Sequence, residues 1–152
     1  MINPRQSKTR KKALKAGFRS AFEQNVYNDL TRAKVEFEYE PKDRQLVYYN
    51  KTKDAMCLKC LNCDIIQKHL YLPDFFIEKR NTVLETKGRF TAQDRKKMLL
   101  VKENNPSIRI VMLFMTNGKV TKKARYLDWC ERYKIEGYLY TDKNWISKIK
   151  NK

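Results

Sequence analysis

Two carboxylates and one amine stand close together along this chain. Asp74 directly follows Pro73, and Glu85 is followed two residues on by Lys87. Carboxylates are hard oxygen donors suited to a divalent cation. Mg²⁺ keeps several of its waters, so two acids are enough to hold it. On an extended strand, residues two apart share a face, which puts the Lys87 amine beside the Glu85 carboxylate. Together these groups are the minimum equipment for metal-assisted cleavage of a phosphodiester, in which the cation activates a water and polarises the phosphoryl oxygen. The main-chain carbonyl of Thr86 offers a third oxygen. Three roles are open to Lys87: orienting the water, deprotonating it, or balancing charge in the transition state. Each residue also has a plainer reading. Asp after Pro is common in loops, and Glu-x-Lys on a solvated strand face is an ordinary ion pair. The flanks favour chemistry: Leu70-Tyr71-Leu72, Phe75-Phe76-Ile77 and Thr82-Val83-Leu84 are apolar, and a carboxylate is costly there unless paired or metal-bound. Gly88 follows at once, where backbone can approach a phosphate closely.

The whole chain points to the same substrate class. Its 152 residues carry 34 Lys and Arg against 17 Asp and Glu, a net charge of +17. Such an excess repels itself unless a polyanion is present, and a nucleic acid rewards it through counterion release. No apolar run reaches the roughly 20 residues needed to cross a bilayer. Met1 to Lys15 holds six basic residues but no apolar core, so it does not read as a secretory signal. The expected setting is the cytoplasm, with no membrane partner. There, Cys57, Cys60, Cys63 and Cys130 are thiols or metal ligands rather than disulfides.

These groups need a scaffold. Residues 1–16 read as a flexible basic arm, and residues 17–152 as a single domain with a Cys-rich insertion at about 51–69. Phe18, Phe22, Val26, Leu30 and Ala33 recur at helical spacing, predicting a helix to about Lys34. Val35 to Glu40 alternates strictly, as a half-buried strand does. Pro41 to Arg44 reads as a turn, and Leu46 to Tyr49 as the return strand of a hairpin. Residues 50–68 read as an insertion or an extended hairpin tip. His69 to Ile77, with Asp74 in its middle, and Thr82 to Lys87 are the next strands. Thr91 with Asp94 caps a helix that stops before Pro106. Ile108 to Phe114 is nearly all apolar, as expected of a sheet centre covered on both faces. A helix over Lys122 to Lys134, with Leu127, Cys130 and Tyr133 inward, a strand at Tyr138 to Tyr140 and a helix from Asn144 to Lys150 complete an α/β fold with a mixed sheet.

Phe18-Arg19-Ser20-Ala21-Phe22-Glu23, Phe37-Glu38-Tyr39-Glu40, Leu72-Pro73-Asp74-Phe75-Phe76, Glu85-Thr86-Lys87-Gly88 and Asp94-Arg95-Lys96-Lys97 follow one another in this order. Asn105-Pro106 before Ile108-Arg109-Ile110-Val111, then Cys130-Glu131 and Trp145-Ile146, extend the series. In this the chain resembles the bacteriophage endonuclease I family, Holliday-junction-resolving enzymes of the PD-(D/E)xK nuclease superfamily, from about Phe18 to Trp145. The resemblance implies a restriction-endonuclease-like core, with a mixed central sheet flanked by helices. It implies a homodimer with exchanged segments, acting in an infected host cell. It places catalysis on Glu23, Asp74, Glu85 and Lys87, with Asp74, Glu85 and the Thr86 carbonyl on Mg²⁺ (or Mn²⁺ in its place) and Glu23 sharing a second ion. It makes the substrate branched DNA, above all four-way junctions nicked on two strands. Nothing in the local pattern would select Glu23 over Glu36 or Glu38.

One segment departs from the family. Cys57-x-x-Cys60-x-x-Cys63, with His69 six residues on, suits a tetrahedral Zn²⁺. The alternative is reduced thiols packed as small hydrophobes. Arg10, Lys11, Lys12 and Lys15 in the arm, and Arg19, Arg89, Arg95, Lys96 and Lys97 near the acidic residues, are the candidates for phosphate contact. Junctions are read by shape and backbone position rather than by base edges. Two other functions fit the same residues: a nuclease nicking other DNA, and a non-catalytic, zinc-stapled nucleic-acid-binding module.

Overall fold

The computed structural model describes residues 11–54 and 63–151. In chain order the elements are α1 (Ala21–Arg32), β1 (Glu38–Tyr39), β2 (Leu46–Asp54), β3 (Cys63–Tyr71), β4 (Phe75–Ile77), β5 (Thr82–Lys87), α2 (Ala92–Asn104), β6 (Arg109–Phe114), α3 (Tyr126–Arg132), β7 (Glu136–Leu139) and α4 (Asn144–Asn151). A five-stranded mixed sheet has the order β1-β4-β5-β6-β7, and β2 and β3 form a separate two-stranded sheet. β5, β6 and β7 run parallel, while β1 and β4 run antiparallel to their neighbours.

Alternation along the central strands builds two cores, one on each face of the sheet. Val83, Ile110, Met112 and Phe114 point to one face, where Met98 and Val101 of α2 and Tyr126, Trp129 and Cys130 of α3 cover them. Leu84, Val111 and Leu113 point to the other, under Phe22, Val26 and Leu30 of α1 and Trp145 and Ile149 of α4. Arg109 ties β6 to β7 through a two-pronged pair with Glu136, at 2.8 and 2.7 Å. Cys130 is a buried free thiol whose pKa burial pushes up to about 12, a packing residue as expected.

α2 is capped as read: Thr91 Oγ1 accepts from the Asp94 N–H, and Asp94 accepts from the Thr91 N–H. The helix ends at Asn104, two residues before Pro106. Several other expectations need correction. Residues 11–15, within the arm expected to be flexible, are helical, and Ala13 is fully buried. The alternating run at Val35 to Glu40 yields only the two residues of β1, because its start stays tied to α1 through the Val35 N–H on Leu30 O. Lys34 and Glu40, both left-handed with φ of 54° and 45°, bound it. β2 does not return along β1. It pairs with β3 over nine residues, from Leu46 opposite Tyr71 to Asp54 opposite Cys63, so most of the unreadable stretch is a long hairpin. The strand expected over His69 to Ile77 breaks at Leu72 to Asp74, where Pro73 has no N–H for the ladder, and Asp74 sits at the break rather than mid-strand. The helix expected from Lys122 begins at Tyr126, since the Val120 and Thr121 N–H groups fold back onto Ala124 O. It buries Tyr126 and Trp129, and leaves Tyr133 exposed.

Of the zinc candidates, Cys57 and Cys60 lie outside the described residues. His69 is corrected: the unbroken strand places it six residues from Cys63, about 20 Å away, too far for one ion to take both from the same chain. His69 stacks instead on Tyr48, ring centroids 5.1 Å apart. No helix among the described residues is long and apolar enough to cross a membrane.

Candidate active site

Antiparallel pairing of β4 with β5 sets Phe75 opposite Leu84. One residue further on, the same register carries Asp74 opposite Glu85. Glu85 and Lys87 alternate onto the face covered by α2. Both carboxylates are buried, each 3% exposed, and every oxygen has a partner. Asp74 Oδ2 accepts from the Thr86 N–H and from Thr86 Oγ1, both at 2.8 Å. Asp74 Oδ1 accepts from the Arg19 guanidinium. Glu85 Oε2 accepts from the Tyr71 hydroxyl, and Oε1 meets Lys87 Nζ at 2.9 Å. Lys87 also lies 3.6 Å from Asp94 Oδ1.

This crowding of charge sets the protonation states. Burial and then the Glu85 charge raise the Asp74 pKa from 3.8 to about 7, against the Thr86 hydrogen bonds and Arg19, which lower it. For Lys87, burial disfavours the ammonium, but Glu85 and then Asp94 and Asp74 outweigh it and the pKa rises above 10.5. Lys87 is therefore a cation here. Of the three roles open in the sequence, charge balance and orientation use this charged state directly. Burial and then the Glu85 charge hold the Tyr71 pKa well above 10, so its hydroxyl remains a donor to Glu85. Tyr71→Phe keeps the ring but strips one donor from a buried carboxylate. It is expected to cost about 2 kcal/mol, measured by urea denaturation, and an unchanged midpoint would refute that role.

Glu23 reaches the site from the other side. It is buried, accepting from Ser20 Oγ at 3.0 Å and from the Tyr39 hydroxyl at 2.7 Å. Its helix, α1, covers the opposite face of the sheet from Glu85. What joins the two sides is Arg19, whose guanidinium contacts Asp74, lies 2.5 Å from Glu40 Oε1 and 3.7 Å from Glu23 Oε2. The structure thus gathers Asp74, Glu85, Thr86 and Lys87 into one cluster, and connects Glu23 to it through Arg19, all within one chain.

Among the described residues no group of three or more His, Cys, Asp or Glu side chains is drawn together as a metal cage. The donor set nevertheless fits a hard divalent cation: two buried carboxylates, with the Thr86 carbonyl between strands as a neutral oxygen. The Arg19 guanidinium lies against Asp74 Oδ1 and balances part of this negative charge. Sequence reading missed Tyr71, Tyr39 and Glu40. Tyr71 carried a usable signal, since a hydroxyl inside an apolar run must find a partner.

The sequence pattern of one family, described as Phage endonuclease I, matches residues 5–151. The chain belongs to that family. It is similar to the "Endodeoxyribonuclease 1" of Enterobacteria phage T3, at 31% identity over 129 residues, covering 83% of this chain and 72% of that protein. It is also similar to the "Endonuclease I" of Escherichia phage T7, at 29% identity over 140 residues, covering 88% and 80%.

The basic residues of this phage endonuclease I chain do not all face a polyanion. Lys11, Lys12, Lys15, Arg89 and Lys96 are exposed, and Arg10 lies outside the described residues. Arg95 is half-buried and donates to Phe90 O at 2.7 Å, which fastens the loop after β5. Lys97 stands over the Tyr71 ring, 5.4 Å from its centroid. Arg19 is turned into the acidic cluster. Each of these three has a partner within the fold: the Asp74 carboxylate for Arg19, the Phe90 carbonyl for Arg95 and the Tyr71 ring for Lys97.

Proposed function

We propose that this chain is a Mg²⁺-dependent, structure-selective DNA endonuclease that resolves four-way junctions and other branched DNA by paired nicks. It works as a homodimer, one site per protomer, in the cytoplasm of the infected cell. The observation that carries the reading is the buried pair of Asp74, just before β4, and Glu85, on β5, with the Lys87 cation on Glu85, in a chain of an endonuclease family. The names of the relatives supply DNA as the substrate, and the +17 charge suits it.

Asp74, Glu85 and the Thr86 carbonyl would hold the metal, with Glu23 at a second ion. When bound, the metal supplies an activated water and polarises the phosphoryl oxygen. The chain's own groups prepare that event. Thr86 holds Asp74 by two hydrogen bonds, and Tyr71 holds Glu85. Lys87 sets an ammonium against the negative charge that grows on the phosphorus oxygens. Arg89 and Lys96 meet the backbone of the approaching strand. This reading assigns the cluster to the PD-(D/E)xK pattern that the family resemblance implies, and the buried Asp74–Glu85 pair with Lys87 supports it. An exchange of amino-terminal segments between protomers leaves the composition of each site unchanged.

The test compares cleavage of a fixed four-way junction with cleavage of its component duplexes, with and without Mg²⁺. Paired nicks at the junction, absent without the metal, are expected. Equal nicking of the duplexes would move the function to general DNA nicking. Binding with no product at any protein concentration would mean a non-catalytic module.

A further inference from the structure

Arg19 is held in a way of its own between two anchored neighbours. Phe18 before it packs on the rings of Tyr27 and Tyr39, centroids 5.1 and 5.0 Å away. Ser20 after it caps α1, accepting from the Glu23 N–H at 3.1 Å. Its side chain is nonetheless 58% exposed while touching three carboxylates. Asp74 is the decisive one. Its Oδ2 is taken twice by Thr86, so Oδ1 is the oxygen left for a cation, and Arg19 is on it. A divalent ion arriving there meets a positive charge in place.

Glu40 gives that charge somewhere to go. Its N–H donates to Asp74 O at 3.0 Å, which locks it beside Asp74. It sits in the left-handed region, φ 45°, a strained conformation for a non-glycine residue. Its carboxylate is the closer of Arg19's two other acidic contacts. A guanidinium carries five N–H donors in a fork that matches a phosphate, so it can keep Glu40 and still present donors outward.

We propose that Arg19 is a displaceable internal counter-cation: it holds Asp74 Oδ1 until a divalent ion takes that oxygen, and then, retained by Glu40, turns its free N–H groups to the phosphate being cut. This rests on the metal-dependent reading above. It makes Arg19 a positioning residue for Asp74 before the metal binds and a phosphate contact afterwards. The two roles have opposite signs when the charge is removed.

The experiment titrates DNA-free full-length protein with Mn²⁺, read by the loss of the free-ion paramagnetic resonance signal, for wild type, Arg19→Gln, Arg19→Lys and Glu85→Gln. Single-turnover junction cleavage at saturating Mg²⁺ is measured alongside. Arg19→Gln is expected to bind Mn²⁺ about tenfold more tightly, the size expected for removing one charge near a divalent ion in a partly solvated site. It should also cleave about tenfold more slowly, as for a lost transition-state donor. Arg19→Lys should return Mn²⁺ affinity to the wild-type value. A merely structural role weakens both readouts together and overturns the proposal. Unchanged Mn²⁺ affinity overturns it as well, as does tighter binding with undiminished cleavage. In those cases the metal reading stands if Glu85→Gln has lost Mn²⁺. If wild type binds no Mn²⁺, the metal reading falls and takes this proposal with it.

Discussion

Glu85→Gln is expected to lower single-turnover cleavage on the order of 10³-fold while leaving a folded protein that still binds branched DNA. The change is isosteric and removes one negative charge from a fully partnered position. Tyr71 can still donate to the amide oxygen. Lys87 loses its 2.9 Å contact and keeps only Asp94 at 3.6 Å, so its ammonium is less well supported and its pKa falls. Both consequences act on the proposed reaction: a proposed metal ligand is gone, and the balancing cation is weakened. In the proposed reading DNA is held by exposed basic residues elsewhere, so gel-shift affinity in the absence of metal should stay within about twofold of wild type and keep its salt dependence. A Glu85→Gln variant that nicks junctions at the wild-type rate would remove Glu85 from the chemistry.

The second large effect is on stability and has a defined pH window. The Asp74 pKa is about 7 in the fold against 3.8 for a free side chain, so the folded protein binds a proton that the unfolded chain has released. Stability from this group is fully present below pH 3.8, falls as pH rises, and is lost above about 7. That separation corresponds to a loss of roughly 4 kcal/mol across the window. Asp74→Asn imitates the protonated form. In chelator at pH 8 it should melt about 5 °C or more above wild type, with the gap closing as pH falls from 7 towards 4. Saturating Mg²⁺ should reverse the order, because it stabilises only the form that binds it. The variant should also be inactive. A gap that does not change with pH would mean that Asp74 is not the strained group. In the proposed reading this buried acidic pair is a cation site, and the same crowding of negative charge accounts for the Arg19 guanidinium on Asp74.

Much of this could be read along the chain because it depends on neighbours in sequence. The capping box at Thr91 and Asp94, the stop before Pro106, the apolar run of β6 and the helical stripe of α1 are local patterns, and each formed. Asp74, Glu85 and Lys87 were legible for a related reason. A charged group among apolar neighbours violates local composition, and that violation is itself the signal. The errors fell where a competing long-range partner decided the outcome. β1 shrank to two residues, and β2 chose β3 rather than β1, because alternation states which face is buried but not which strand lies alongside. The internal partners of Arg19, Arg95 and Lys97 were not legible in the sequence because basic charge on a basic protein looks uniform. Only the folded chain brings Phe90 O, the Tyr71 ring and the Asp74 carboxylate within their reach.

The amino-acid order was enough for the layered α/β class, the polyanionic substrate and three of the chemical groups, since propensity, periodicity and net charge are sums over nearby residues. The geometry of charge compensation was not. Asp74 and Glu85 are eleven residues apart in sequence and opposite one another in space, and Arg19 lies fifty-five residues from the Asp74 that it neutralises. Electrostatic energy follows distance through the folded chain rather than along it. Which cation sits on which acid was decided only when the sheet, α1 and the turn at Glu40 closed on one another.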